Sequence, residues 1–186
     1  MRKEAFELLK KYTKSESLLR HAFAVEAGMI AYAKKYGEDV DEWASVGVLH
    51  DVDFELYPET HPLKGVEILT EAGYSEEFIN AVKGHSDATN TKRETKMAKT
   101  LYAVDEFASF IVTVALMRPT KLEGMKYKSF NKKFKTKSFA EAIDRDHLRR
   151  AVEELGEDFM EHVNLLISEL QEHEKTLNED GYSLFN

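Results

Sequence analysis

The chain has 186 residues, 42% of them hydrophobic and 32% charged, and carries a formal net charge of −8. Its apolar content suffices for one sizeable core, and the absence of cysteine excludes disulfide frameworks, thiolate zinc sites, iron–sulfur ligation and a cysteine nucleophile. The acid excess argues against general nucleic-acid binding, and no uncharged run reaches the ~18–20 residues that a membrane helix needs. No apolar signal core follows the charged N-terminus, so a cytoplasmic single domain spanning 1–186 is expected.

The pattern reads as helix after helix, an all-α chain. A first helix is predicted over residues 4–12. A second starts after Ser15 and stops at Gly37, with Leu18, Ala22, Val25 and Met29 on its apolar stripe. His21 lies within that stripe and points inward. Asp39 and Glu42 resemble a capping box opening a third helix, which carries Trp43, Val46 and Leu49 and ends near His50-Asp51. Pro62 suits the first turn of a fourth helix and puts His61 at or near its N-cap. Ser75 caps a fifth helix that ends at Gly84, leaving His85 just past a helix end. Residues 87–93 read as polar loop.

The sixth helix, residues 94–117, places Asp105 in an apolar stripe with Leu101, Val104, Ala108, Val112 and Ala115. Burying a carboxylate without a partner costs too much, and no residue of that stripe is basic. Its partner must come from elsewhere in the fold. Beyond Arg118-Pro119, residues 118–137 hold eight Lys/Arg and one acid, Glu123, a local net of +7 that leaves −15 for the rest. Ser138 and Glu141 look like a capping box for a helix toward Leu155, and a last amphipathic helix is expected over 157–177. His147, His162 and His173, set among charges, are assigned to the surface. Residues 15–117 form the site-bearing core and 118–186 a C-terminal helical extension.

His21, His50, Asp51 and Asp105 come from well-separated segments, as a mixed-ligand divalent site requires. His61 and His85, both at helix termini, suit a second ion, and the two oxygens of Asp51 allow it to bridge. Two-metal sites hold their ions ~3.5–4 Å apart and clamp both oxygens of a phosphoryl displacement.

His21, His50-Asp51, His61, His85 and Asp105, in this order on an all-helical chain, resemble the HD-domain superfamily of metal-dependent phosphohydrolases. The local contexts Leu19-Arg20-His21, Leu49-His50-Asp51, Gly84-His85-Ser86 and Tyr102-Ala103-Val104-Asp105 carry the resemblance, which covers residues 15–115. It implies an HD-domain helical bundle. It also implies that His21, His50, Asp51 and Asp105 bind one metal, and that His61 and His85 fill the positions used for a second. Phe54 departs from the pattern: dinuclear members that cleave cyclic dinucleotides or dinucleoside polyphosphates often carry Lys there, which counts against those substrates.

The activity so implied is hydrolysis of a phosphate ester of a nucleotide or small phosphorylated metabolite through a metal-activated water, with one or two ions of Mn, Fe, Co, Ni or Zn. Asp51 and Asp53 are the candidate catalytic carboxylates, with Asp53 and Glu55 read as general base or outer acceptor. Arg20 and Lys64 are candidate phosphate contacts. Arg118 and Lys121, together with Lys126 and Lys128, are expected to cover the mouth of the site. Two alternatives stand beside this reading: a di-iron HD-type oxygenase, and a non-catalytic nucleotide-binding signalling module.

Overall fold

The computed structural model describes residues 1–185, whose regular structure is all helical, with no strand among them. The elements are α1 (Arg2–Tyr12), α2 (Glu16–Tyr36), α3 (Val40–Leu49), α4 (Leu63–Glu71), α5 (Glu76–Gly84), α6 (Lys96–Leu116), α7 (Tyr127–Phe134), α8 (Arg145–Leu155) and α9 (Phe159–Glu179). Two short 3₁₀ turns, Pro58–Thr60 and Asp87–Thr89, lie in the connections. No helix among the described residues is long and apolar enough to cross a membrane.

Local chemistry sets most of the boundaries. α2 is rich in alanine, the best helix former, and ends where Gly37 adopts the left-handed conformation, φ 72°. Asp39 accepts from the Glu42 amide at 2.9 Å and so caps α3. Ser75 accepts from the Phe78 amide, and Thr95 from the Ala98 amide, at the starts of α5 and α6.

α2 and α6 form the centre of the bundle. α2 packs on α3, α6 and α9, while α6 also meets α5 and α8. Two glycines let these helices close up. A Cβ on Gly28 would stand 2.2 Å from Val104 Cγ1, and one on Gly47 would stand 2.6 Å from the Glu26 Cα. Close approach there brings the α2, α3 and α6 backbones within reach of a common point.

Three expectations about the C-terminal part are corrected. The predicted capping box at Ser138 and Glu141 does not open a helix: α8 begins at Arg145, capped by Asp144, which accepts from the Asp146 amide. Ala140 sits at φ 46°, and the Arg145 guanidinium binds the carbonyls of Phe139, Ala140 and Ile143, so this segment is held as a turn. The basic segment contains α7, which was not anticipated. Phe130 and Phe134, four residues apart, are buried against Phe107 and Phe110 of α6. His162 and His173 are not surface residues: they are 1% and 7% exposed. Tyr32 Oη hydrogen-bonds His162 Nδ1, and His173 Nε2 donates to Glu26 Oε2 at 3.2 Å. His147 is half-buried beside Tyr102, with ring centroids 4.9 Å apart.

Candidate metal centre

Six side chains meet where α2, α3 and α6 approach the N-terminal end of α4 and the C-terminal end of α5. His21 lies in the second turn of α2. His50 is the residue after α3, Asp51 follows it, and His85 is the residue after α5. His61 precedes Pro62, the cap of α4, and Asp105 lies mid-way along α6.

Each histidine is aimed by its Nδ1. His50 Nδ1 donates to the Gly47 carbonyl at 2.8 Å, His85 Nδ1 to the Val82 carbonyl, and His61 Nδ1 to Asp53 Oδ1 at 2.8 Å. His21 Nδ1 shares a 2.8 Å hydrogen bond with Ser109 Oγ. Carbonyls and a carboxylate only accept, so for His50, His61 and His85 the proton sits on Nδ1. In the neutral ring, Nε2 is then a bare lone pair.

All four Nε2 atoms face inward. His21 and His50 Nε2 are 3.0 Å apart, and His61 and His85 Nε2 are 3.2 Å apart. Asp51 stands between the two pairs. Its Oδ2 is 3.4 Å from His21 Nε2 and from His50 Nε2. Its Oδ1 is 3.4 Å from His61 Nε2 and from His85 Nε2. Asp105 Oδ1 adds contacts of 3.1 Å to His21 and 3.5 Å to His50. Donor groupings suited to an ion are therefore His21, His50 and Asp51, and Asp51, His61 and His85.

This donor set fits divalent transition metals. An ion ~2.0–2.2 Å from each donor sets neighbouring donors ~2.8–3.6 Å apart, the spacing seen throughout the cluster. Imidazole with carboxylate suits Mn, Fe, Co, Ni or Zn. Lone pairs and carboxylate oxygens converging without a donor between them call for positive charge. The protonation balance says the same. Burial lowers the His21 pKa, but hydrogen bonds first to Asp105 and then to Asp51 more than reverse this and raise it to about 9. For His50, too, the charges of Asp51 and Asp105 outweigh burial and hold its pKa well above the usual value. Asp51 and Asp105 are held far below the carboxylate range: burial opposes this, and the His50 charge overcomes it. A divalent cation supplies the charge that protons otherwise bring.

Asp53 is fully buried behind the cluster, where Oδ1 accepts from His61 and Oδ2 from the Gly65 amide at 2.7 Å. It faces His61, and of the two sequence readings its contacts match the outer acceptor. Glu55 accepts from the Lys14 and Ser15 amides at the start of α2 and is not part of the cluster. Arg20 pairs with Glu16 on its own helix at 3.6 Å. Lys64 pairs with Glu67, and its Nζ lies 5.7 Å from the Tyr57 ring centre. The structure does not bring Arg118 and Lys121 to the cluster. They lie beyond the C-terminal end of α6, roughly 20 Å along the helix axis from Asp105. Arg118 there binds the carbonyls of Lys121 and Glu123.

Sequence reasoning missed Ser109 and the two backbone carbonyls that aim His50 and His85. It also missed Arg93, whose guanidinium donates to the Gly84 carbonyl and to Asp87 Oδ1, both at 2.9 Å, and lies 3.5 Å from the Tyr102 ring centre. Arg93 thereby ties the segment carrying His85 to α6. An arginine shortly after a helix end, followed by a tyrosine, carries no sequence signal of this role.

The HD domain family matches residues 18–109. Over 83 residues the chain is 30% identical to a tRNA (cytidine(56)-2'-O)-methyltransferase of Thermoplasma volcanium, a match that takes in 44% of this chain and 25% of that protein. The match thus spans about a quarter of that relative's length. No solved structure matches the chain. His21, His50, Asp51, His61, His85 and Asp105 all fall inside the matched span, and residues 18–109 of this chain are an HD domain.

Proposed function

We propose that the protein is a metal-dependent phosphohydrolase that cleaves the phosphate ester of a nucleotide or another small phosphorylated metabolite. One observation carries this reading: a single carboxylate, Asp51, turns one oxygen to each of two histidine pairs. His21, His50, Asp51 and Asp105 would hold one ion, and Asp51, His61 and His85 would hold a second. When bound, such ions supply Lewis acidity toward a phosphoryl oxygen and make water a nucleophile near neutral pH.

The protein's own groups do the rest. Asp51 is common to both donor sets. Asp53 and Ser109 hold His61 and His21 in register, so little reorganisation is needed during reaction. Arg20 and Lys64 stand beside His21 and on the helix that follows His61. Each pairs with an exposed carboxylate on its own helix, a pairing worth little, and so is free to re-pair with substrate phosphate.

Metal analysis of protein purified without chelator, with a phosphoester panel run alongside, tests the reading. About two ions per chain, lost in Asp51→Ala together with phosphate release, is the expected result. Stable, redox-active iron with no phosphate release from any ester would move the protein to the oxygenase alternative. Absence of metal under every reconstitution condition would remove the hydrolase reading altogether.

A further inference from the structure

α7 carries a strip of positive charge that the metal centre does not use. Its inner face is fixed: the Phe130 ring stacks on Phe107 at 5.4 Å and meets Phe110 at 5.3 Å, and Phe134 lies 5.8 Å from Phe110. With that face down, Lys128, Lys132 and Lys135 follow one another at helical i, i+4, i+7 spacing, and all three are exposed. Lys126 and Lys137 extend the strip at either end and are also exposed.

These ammonium groups are unpaired. The lysines in ion pairs among the described residues are Lys10, Lys34, Lys35, Lys64 and Lys175, all outside the strip. Five clustered charges repel one another, and Glu141, Asp144 and Asp146, which share a cleft with Lys135 and Lys137, form no ion pair with them. The aromatic rings at the edges are partly open. Tyr127 and Phe139 are half-buried, and Lys133 Nζ lies 4.9 Å from the Phe139 ring centre. Within residues 118–137 no large apolar side chain is exposed, so nothing there would enter a bilayer.

We propose that this strip binds the backbone of a single-stranded nucleic acid. Lysine suits the task as a point charge that meets phosphates without reading bases. Tyr127, half-buried with one face toward Phe130, leaves part of its ring at the edge of the strip to meet an unpaired base. The expectation of no general nucleic-acid binding, drawn from net charge, averages over this strip.

Fluorescence anisotropy with a labelled 20-nucleotide oligouridine, at 50 and 200 mM salt, tests the proposal. At roughly 0.7 per phosphate contact, five lysines give a slope of log K against log salt near −3.5. The triple variant Lys128→Gln, Lys132→Gln, Lys135→Gln changes only exposed side chains and is checked for native circular dichroism. It is expected to bind more weakly and to reduce that slope by about 2. Chelator treatment is expected to leave binding unchanged, since the strip is separate from the metal centre. No binding at 50 mM salt, or a triple variant with the wild-type slope, overturns the proposal. Equal affinity for a duplex of the same length overturns the single-strand assignment. Salt-sensitive self-association in sedimentation velocity, without oligonucleotide binding, gives the strip to a second copy of the chain and overturns it too.

Discussion

Asp53 shows how much of this centre is carried by groups that face away from it. It is fully buried, and its two oxygens are used by His61 and by the Gly65 amide. Replacing it with Ala leaves His61 free to turn. Loss of such an outer partner typically lowers metal affinity ~10–100-fold. Asp53→Ala is therefore expected to weaken only the His61–His85 position. Competition with a chromophoric chelator would show bound metal falling from two toward one, and equal loss at both positions would contradict it. The buried His162 makes a different, pH-dependent contribution. Burial lowers its pKa to about 3, below the usual value of 6.5. The unfolded chain therefore takes up a proton that the folded chain refuses. His162 imposes no penalty above about pH 6.5, and stability falls as pH drops from there toward 3, by ~1.4 kcal/mol per unit. Between pH 7 and pH 5 the loss is about 2 kcal/mol. His162→Gln, which still offers Tyr32 an acceptor, is expected to abolish that difference in urea denaturation. At this scale the six ligand candidates were legible from residue type and order. Their orienting partners were not, because two are backbone carbonyls, which every residue has. His162 and His173 were misread for another reason. They lie at helical spacing with Leu166, Leu170 and Leu177, but their charged neighbours were weighed above that period.

Among the helices, the close approaches at Gly28 and Gly47 set the distances between ligands. The two contacts are unequal. A Cβ on Gly28 meets a valine side chain, whereas one on Gly47 meets the Glu26 backbone at 2.6 Å. Backbone cannot rotate away, so Gly47→Ala must push α3 from α2. Overpacking of this kind costs typically ~1–3 kcal/mol, and Gly47→Ala is expected at or above the upper end. It should also separate His50 from His21, so that metal affinity falls along with Tm. Gly28→Ala is expected to be milder on both measures, and the reverse ranking in thermal melts would refute the argument. The helices themselves were largely readable. Asp39 and Ser75 cap α3 and α5 as their sequence positions suggested, and Gly37 ends α2. Failures came where tertiary contacts decided. α7 is held by aromatic rings on α6, and the turn before α8 is held by the Arg145 guanidinium. Neither interaction has a local signature.

On the scale of the molecule, the C-terminal helices close the bundle. Phe107 and Phe110 lie on the centre-bearing helix, and the rings that cover them come from Phe130, Phe134, Phe139 and Phe159. The carboxylate of Glu26 on α2 is 1% exposed and is held by Arg2 on one side and His173 of α9 on the other. A chain ending after residue 117 would expose these rings and strip the Glu26 carboxylate of its His173 partner and of the cover of α9. Such a truncation is expected to lose cooperative thermal unfolding and to bind a hydrophobic dye, although it retains residues 18–109 whole. The Gly47 carbonyl that aims His50 belongs to the last turn of α3, where the helix has no amide of its own left to offer it. Inserting one residue at that terminus would give the carbonyl a backbone partner and swing the His50 ring by ~100° around the axis. The length of α3 is therefore as much a part of the centre's composition as the imidazoles, and insertions at its end are expected to be tolerated far less well than substitutions.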